Sequence, residues 1–537
     1  MFSDEITRKR FLSTVFSAGV VSATGFPTLA QSNPSPTSPG SLSGYYDVRT
    51  FGAKGDGETV DTPAINRAIE TAASSGGGTV VFPTGTYLCY SIHLKSSVCL
   101  HLNAGATILA ASVPREGATT GGYDPAGEPQ PWEAYQDFGH NHWRNSLLWG
   151  EDLHDVTIMG PGLIWGKGLS RGEQNEFPRA EMPGVGNKGI ALKNCRNVTF
   201  RDFSMLSCGH FAMLLTGVDN LVIDGIRIDT NRDGIDIDCC KNVHVANCIV
   251  NSPWDDAICP KSSFALGHAR VTENVTITNC YVTGIFDYGT LLDGTFKRMQ
   301  YPPNSRPPIG RIKCGTESNG GFKNITISNC VFESCRGLAL ETVDGGLIED
   351  IAITNLTMRG VVHSPIFLRL GARMRGPKGV PPGSIKRVII SNIVSSHAVA
   401  EYPSIICGIP GSVIEDIKLS DLYLQQIGGG TKEWATIEPP EKENAYPEAT
   451  MFGTLPARGF FIRHARNLEF SNIEIATEKA DERPAFWCYD VNGLDLFRVK
   501  AGKNTLAYSL SNVKDFRSFG SMDYSDRRED NVTKMEF

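Results

Sequence analysis

The amino-acid sequence predicts an all-β protein: a single-stranded right-handed parallel β-helix with a short N-terminal capping helix. Segments that alternate between apolar and polar residues begin at Asn197, Asn220 and Asn242, at intervals of 23 and 22 residues. A repeat of this length, built from short strands, is typical of a solenoid in which each repeat forms one coil. Segments of the same kind begin, at other intervals, at Asp155, Asn274, Asn324, Asp350, Arg387 and Asp416.

The N-terminal residues have the pattern of an export signal. Residues 7–12 are basic, residues 11–30 are apolar and small, and Thr28-Leu29-Ala30 is an acceptable cleavage sequence. The basic part resembles a twin-arginine signal with Lys9 in the place of the second arginine. We therefore expect residues 1–30 to be an export signal peptide, residues 31–44 to be a linker, and the protein to be exported, either to the periplasm or out of the cell.

Composition excludes two classes of partner. The chain has 537 residues, a net charge of −7 and no basic run, which argues against nucleic-acid binding. Beyond the N-terminus no apolar segment is long enough to span a bilayer, so we expect no membrane contact after signal removal. We expect a monomer that needs no cofactor.

The fourteen cysteines are placed in a pattern that favours packing over disulfide bridges. Pairs of Asn and Cys follow alternating strands, which predicts a ladder of inward-facing Asn and Cys side chains; the cysteines of these pairs are Cys195, Cys248, Cys280 and Cys330. There is no CxxC pair, and Cys239-Cys240 alone is not a metal site.

Residues 45–110 predict the cap of the solenoid. Asp61 or Thr62 is a suitable N-cap, Pro63 suits a first helical turn, and one apolar stripe follows, formed by Ile65, Ala68, Ile69 and Ala72. The segments Phe51–Gly57, Gly76–Gly78 and Phe82–Tyr87 resemble the N-terminal cap of the pectate-lyase-type β-helix superfamily. A helix here would cover the unpaired edge of the first coil.

A group of aspartates marks the candidate active face. Asp255 lies 22 residues after Asp233, one repeat further along, and Asp256 follows it. Residues one coil apart stack at about 4.8 Å, so these carboxylates should lie close together. Like charges at such distances raise the pKa of at least one member. The alternative is a surface Asp-Gly turn beside an unrelated charge pair.

The motifs around these aspartates resemble glycoside hydrolase family 28, the polygalacturonases and rhamnogalacturonases, over roughly residues 45–480. Asn231-Arg232-Asp233 corresponds to the family's Asn-Thr-Asp, with Arg232 replacing threonine. Asp255-Asp256 and Arg311-Ile312-Lys313 correspond to its Asp-Asp and Arg-Ile-Lys segments. Asp287-Tyr288-Gly289 stands where the family has Gly-His-Gly, so the histidine is missing; His268 comes too early in the coil count.

The resemblance implies a family-28 hydrolase that cleaves galacturonate-containing pectic polysaccharide or oligosaccharide with inversion. Asp255 would be the acid, while Asp233 and Asp256 would activate water. Arg311 would grip a uronate carboxylate and Lys313 would add a charge. The alternative is that both form ordinary ion pairs with the aspartates. The other candidate substrate-binding or supporting residues are Tyr288, His210, Asp236 and Asn231.

The remaining features leave alternatives open. Insertions at 111–146, 167–188, 296–310 and 426–458 would project as loops, and the aromatic residues of the first would either stack on sugars or pack the loop. The last insertion would either wall off one end of the cleft or be a packed loop. We expect a β-helix catalytic domain over 45–520 and a tail over 521–537. Two alternative functions are also compatible with the sequence: a Ca²⁺-dependent lyase and a non-catalytic carbohydrate-binding β-helix.

Overall fold

The computed structural model describes residues 44–112, 122–171, 179–301, 305–502 and 505–537. The predicted signal peptide and all of the predicted linker except Gly44 lie outside the described residues. The N-terminal coils contain strands β1 (Tyr45–Asp47), β2 (Asp56–Val60), β3 (Gly78–Phe82), β4 (Gly85–Cys89), β5 (Ile92–His93), β6 (Val98–Leu102) and β7 (Ala106–Ala110).

The central coils use short strands separated by tight corners. They are β8 (Leu148–Glu151), β9 (His154–Met159), β10 (Leu163–Trp165), β11 (Lys188–Lys193), β12 (Arg196–Arg201), β13 (Ser204–Leu206), β14 (Phe211–Thr216), β15 (Asp219–Asp224), β16 (Arg227–Asp229), β17 (Asp233–Asp238), β18 (Lys241–Ala246), β19 (Ile249–Asn251), β20 (Ile258–Lys261), β21 (Thr272–Thr278) and β22 (Tyr281–Thr283).

The later coils combine short strands on one face with longer strands that run through a corner. They are β23 (Ile312–Cys314), β24 (Phe322–Glu333), β25 (Leu338–Thr342), β26 (Leu347–Arg359), β27 (Ile366–Leu370), β28 (Ser384–Ala398), β29 (Ser404–Cys407), β30 (Ile414–Gln426), β31 (Phe460–Thr477), β32 (Phe486–Lys500), β33 (Tyr508–Phe519) and β34 (Arg527–Glu536). The helices are α1 (Thr62–Ser74), α2 (Thr290–Asp293) and α3 (Lys432–Ala435), and 3₁₀ turns cover Val48–Phe51, Glu133–Tyr135, Phe138–Asn141 and Ala449–Phe452.

Successive coils pair in parallel, which confirms the predicted right-handed parallel β-helix. In the registers Val198↔Leu221 and Leu221↔Val243, like residues stack one coil apart and bury their side chains in one continuous core. One face of the helix, formed by β8, β11, β14, β17, β20, β23, β25, β27, β29 and β31, carries the candidate site, and we call it the cleft sheet.

The two ends of the β-helix are closed in different ways. Helix α1 buries its predicted stripe of Ile65, Ala68, Ile69 and Ala72 against the first coils. It begins directly after Asp61, but the Asp61 carboxylate accepts from the amides of Lys54 (2.7 Å) and Gly55 (2.9 Å) and does not cap the helix. At the other end β34, within the predicted tail, pairs antiparallel with β33. Among the described residues no helix is long and apolar enough to cross a bilayer.

The predicted ladder of inward-facing Asn and Cys side chains is right for the cysteines and wrong for the asparagines. Cys248, Cys280 and Cys330 are buried, and all fourteen cysteines are free thiols. Asn247, however, has φ 57° and is exposed, because the left-handed backbone at the corner turns its side chain outward. Its Oδ1 accepts from Asn279 Nδ2 at 3.4 Å on the outer surface. The pair Asn194-Cys195 belongs to another corner, directly before β12.

Candidate active site

The structure brings the three predicted aspartates together on the cleft sheet. Asp233 begins β17, and Asp255 and Asp256 lie in the turn before β20. The amide of Gly234 donates to the carbonyl of Asp256 at 2.9 Å, which holds the two segments side by side. One carboxylate oxygen from each aspartate lies within 4.8 Å of the others. We call Asp233, Asp255 and Asp256 the aspartate trio.

The members of the aspartate trio differ in their access to the cleft. Asp233 and Asp256 are only 2% and 0% exposed, whereas the side chain of Asp255 is 20% exposed. Asp255 pairs with Arg232, whose Nη2 lies 2.8 Å from Oδ2. Asp255 is therefore the member that offers a carboxyl group to a ligand on the cleft sheet, and we call the open space over Arg232 and Asp255 the cleft.

Electrostatics give Asp233 and Asp256 opposite protonation states at neutral pH. Burial, reinforced by the charges of Asp255 and Asp256, raises the pKa of Asp233 to about 8. Burial also opposes ionisation of Asp256, but Lys313 and Arg311 outweigh it and hold its pKa below the usual value. Asp233 thus stores a proton while Asp256 remains a carboxylate.

Arg311 and Lys313 are counterions of Asp256 in this structure, which favours ion pairing with the aspartates over a grip on the substrate carboxylate. Arg311 is only 1% exposed, and its Nε lies 2.9 Å from Asp256 Oδ1. Lys313 points outward from β23 and pairs with Asp256 Oδ2. The strand places both cations against a buried carboxylate that needs them, which is the alternative that the sequence left open.

Asp236 belongs to a second, fully buried charge group behind the trio. Its Oδ2 lies 3.3 Å from Lys261 Nζ, and Lys261 also contacts His140 Nε2 at 3.1 Å and Glu317 Oε2 at 3.5 Å. Burial and Asp233 raise the pKa of Asp236 well above its usual value. Lys261, His140 and Glu317 were not predicted as site residues, although Lys261 stands at an outward position of β20 on the cleft sheet.

The other predicted residues surround Arg232. His210 stacks on Phe211 with ring centroids 4.3 Å apart, and its Nε2 lies 3.5 Å from Arg232 Nη2. Burial, together with Arg232, lowers the pKa of His210 well below its usual value, so the ring is neutral. Tyr288 is half-buried near Arg232 and Asp229, and its hydroxyl has no partner among the described residues. Asn231 donates to the carbonyl of Arg171 at 3.2 Å.

The insertion between β30 and β31, residues 427–459, lies across the cleft sheet, and we call it the strap. Its underside is apolar: Ala449, Phe452, Leu455 and Ala457 pack against Ala339, Phe367, Ile405 and Phe461, which face outward from β25, β27, β29 and β31. The cleft sheet is therefore covered beyond the coil that carries Lys313.

Buried arginines from several coils hold the strap. Arg369 donates to the carbonyls of Glu441 (3.2 Å) and Lys442 (3.1 Å), and Arg463 donates to Pro439 (2.8 Å). Glu448 Oε1 accepts from Arg311 Nη2 at 3.0 Å and from Arg336 Nη1 at 2.7 Å. The strap thus continues the ion-pair network of the aspartate trio and closes that end of the cleft.

The aromatic residues in the described part of the insertion at 111–146 mainly pack that loop. Trp143 is buried and donates to Thr216 Oγ1 at 3.1 Å, and Trp132 donates to the carbonyl of Ala265 at 3.2 Å. His142 stacks on Phe138 with ring centroids 4.0 Å apart. These rings are occupied by protein contacts and do not form an open sugar-stacking platform.

The trio fits a calcium ion poorly, although its oxygen atoms are close enough to share a cation. Calcium takes six to eight oxygen ligands. Here both oxygens of Asp256 are already engaged by Arg311 and Lys313, and Asp255 is engaged by Arg232. Protein cations therefore already compensate the negative charge that would draw a metal.

Comparisons with known proteins agree with this fold. The family described as "Rhamnogalacturonase A/epimerase, pectate lyase-like" matches residues 45–121, and "Right handed beta helix region" matches residues 155–300. A probable polygalacturonase from Vitis vinifera is 24% identical over 331 residues, which are 58% of this chain and 60% of that protein.

Two solved structures share the architecture. A family 28 exopolygalacturonase from Yersinia enterocolitica aligns with a TM-score of 0.62 at 19% identity, over 85% of this chain and 78% of that one. A hyperthermoactive exopolygalacturonase from Thermotoga maritima aligns with a TM-score of 0.56 at 19% identity, over 81% and 92%. The protein is therefore a right-handed parallel β-helix protein that is similar in sequence to polygalacturonases and in fold to a family 28 exopolygalacturonase.

Proposed function

We propose that this protein is a glycoside hydrolase that cleaves galacturonate-containing pectic polysaccharide or oligosaccharide with inversion at the anomeric carbon. The observation that carries the proposal is the division of states within the aspartate trio: Asp233 neutral, Asp256 ionised and Asp255 exposed to the cleft. Hydrolysis of a glycosidic bond requires a protonated acid and a base, and this trio supplies both. The similarity to polygalacturonases supports the substrate class.

The trio is able to complete a catalytic cycle without a net change in its protonation. Asp233 holds the proton in the free protein and passes it to Asp255, which donates it to the leaving oxygen. The ionised Asp233 and Asp256 then orient a water molecule, and Asp233 takes the proton that this water loses on attack. Asp255 is left as a carboxylate beside Arg232, so the starting state returns.

The contacts of Asp256 favour water attack over a covalent intermediate. The carboxylates of retaining glycosidases lie about 5–5.5 Å apart, and this trio is at least as compact. A nucleophile, however, needs a free carboxylate oxygen that faces the sugar. Asp256 is fully buried with both oxygens bound by cations, and Asp233 is neutral in the free protein.

Hydrolysis should be insensitive to chelators, because acid and base are both carboxyl groups. We expect EDTA to leave the release of reducing sugar from polygalacturonate unchanged, with no ultraviolet-absorbing product. If EDTA abolished activity and the products carried a ring double bond, the Ca²⁺-dependent lyase would be the correct function.

The strap favours attack at chain ends. Because it covers the cleft sheet beyond Lys313, a polysaccharide has no room to continue along that face. We therefore expect mono- or disaccharide products to appear from the start of a polygalacturonate digest, with a slow fall in viscosity. A rapid fall in viscosity with long oligomers as early products would show that the cleft is open at both ends.

A further inference from the structure

A second cleft lies on the N-terminal side of the aspartate trio, opposite the strap. It encloses about 210 Å³, and its walls include Arg171, Arg179, Asn187, His210 and Arg232. Arg232 Nη2 is the atom that pairs with Asp255, so the two clefts share one wall. We call this space the arginine cleft.

The arginine cleft has more hydrogen-bond donors than the protein satisfies. His210 lies between Arg171 Nη1, 3.3 Å from its Nδ1, and Arg232 Nη2, 3.5 Å from its Nε2. A neutral imidazole accepts through one nitrogen and donates through the other, so one of these contacts places donor against donor.

Two further donor groups around the cleft are buried without an acceptor. Asn187 is 1% exposed, and its Nδ2 has no partner among the described residues; neither does Arg232 Nε. Leaving such groups unpaired is costly unless a ligand satisfies them.

Behind this wall stands a buried lysine. Lys188 is 0% exposed, and within the described part of the chain its hydrogen-bond acceptors are the amide oxygens of Asn145 and Asn187. The acidic residues that also line the cleft are Asp137, whose Oδ1 lies 3.7 Å from Arg375 Nη1, and Glu181. The three arginines of the lining outnumber these two carboxylates. The cleft therefore complements a negatively charged acceptor group.

We infer that the arginine cleft is a subsite for a uronate carboxylate of the substrate, held by Arg171 and Arg232 and by the Nδ2 of Asn187. The planar carboxylate matches the forked geometry of a guanidinium group. The cleft is large enough to admit one side of a sugar ring. The inference deepens the proposed function and rests on it for the identity of the ligand. It also replaces Arg311 and Lys313, which are buried with Asp256, as the carboxylate-binding residues.

The shared arginine links the two clefts. A uronate carboxylate that binds Arg232 competes with Asp255 for the same guanidinium group. Asp255 would then be released from its ion pair with Arg232 and would be free to turn toward the leaving oxygen. Binding of the correct sugar would in this way prepare the acid.

Calorimetric titration with D-galacturonate, and with D-galactose as its neutral counterpart, tests the subsite without relying on catalysis. We expect the wild-type protein to bind galacturonate in preference to galactose. Arg171→Gln should weaken galacturonate binding by at least about 10-fold, because a charge-assisted contact is lost. Arg171→Lys should recover part of the loss.

The matched control is Arg201→Gln, which removes an exposed arginine from β12, outside the cleft sheet, where it pairs with Asp224 at 3.1 Å. It should bind galacturonate like the wild type. Wild-type affinity in Arg171→Gln would overturn the subsite, even if the enzyme hydrolyses polygalacturonate. If Arg171→Gln lost affinity for galacturonate but the wild-type protein hydrolysed no pectic polymer, the subsite would be supported and the proposed hydrolase activity refuted.

Discussion

Asp255→Asn should reduce hydrolysis of polygalacturonate by at least about 10²-fold, the lower range for loss of general acid catalysis. Asparagine keeps the shape of the side chain but has no proton to donate to the leaving oxygen. A galacturonide with a nitrophenol leaving group needs little protonation, so the variant should recover much of its rate on that substrate. The initial rates of the wild type and the variant on both substrates measure the loss on polygalacturonate and its recovery on the nitrophenol galacturonide.

The same substitution at the buried aspartates should behave differently. Asp233→Asn and Asp256→Asn remove the carboxylates that orient water, so the nitrophenol substrate should not rescue them. If Asp233→Asn were the rescued variant and Asp255→Asn were not, Asp233 would itself deliver the proton. Near-wild-type turnover of polygalacturonate by Asp255→Asn would place the acid elsewhere.

Arg311→Ala should both destabilise the protein and inactivate it. Removing this guanidinium leaves Asp256, Glu341 and Glu448 buried without their shared counterion. Breaking a buried ion pair by deleting one partner typically costs about 3–5 kcal/mol of unfolding free energy. The strap would also lose one of its anchors, because Glu448 is bound there. Urea unfolding followed by tryptophan fluorescence measures the loss.

The exposed pair of Arg201 and Asp224 provides the comparison for Arg311. Arg201→Ala should change the unfolding free energy by less than about 1 kcal/mol, as is typical of a surface ion pair. A stable Arg311→Ala protein whose only defect is a raised KM for uronate substrates would contradict the structural role. It would restore the role that the sequence pattern implied.

The repeat length made the fold and the aspartate trio predictable. In a solenoid, residues one period apart occupy the same position in adjacent coils, so counting residues places the Asp255-Asp256 pair beside Asp233. The register Ile235↔Ile258 is offset by 23 residues rather than 22, so Asp256 and not Asp255 lies in line with Asp233. The capping helix was predictable for the same kind of reason, because Ile65, Ala68, Ile69 and Ala72 form one stripe at helical spacing.

The partners of the trio could not be found by counting. Glu448 and Arg311 are 137 residues apart in the chain, and their contact depends on how the strap folds back over the cleft sheet. The sequence contains Asp256 and, further along, the two cations Arg311 and Lys313. Whether these cations face a ligand or face Asp256 depends on how deeply they are buried, which the sequence does not show. The prediction that the corner asparagines face inward failed for a local reason. The left-handed backbone at Asn247 turns its side chain outward.

The anomeric configuration of the first product tests the acid–base account most directly. Proton NMR of an early polygalacturonate digest, recorded before the new reducing end equilibrates, distinguishes the two anomers. We predict a product with the configuration opposite to that of the cleaved linkage, because water attacks while Asp256 stays bound to Arg311 and Lys313. A first product that keeps the original configuration would require a covalent intermediate on one of the aspartates, which would contradict the account.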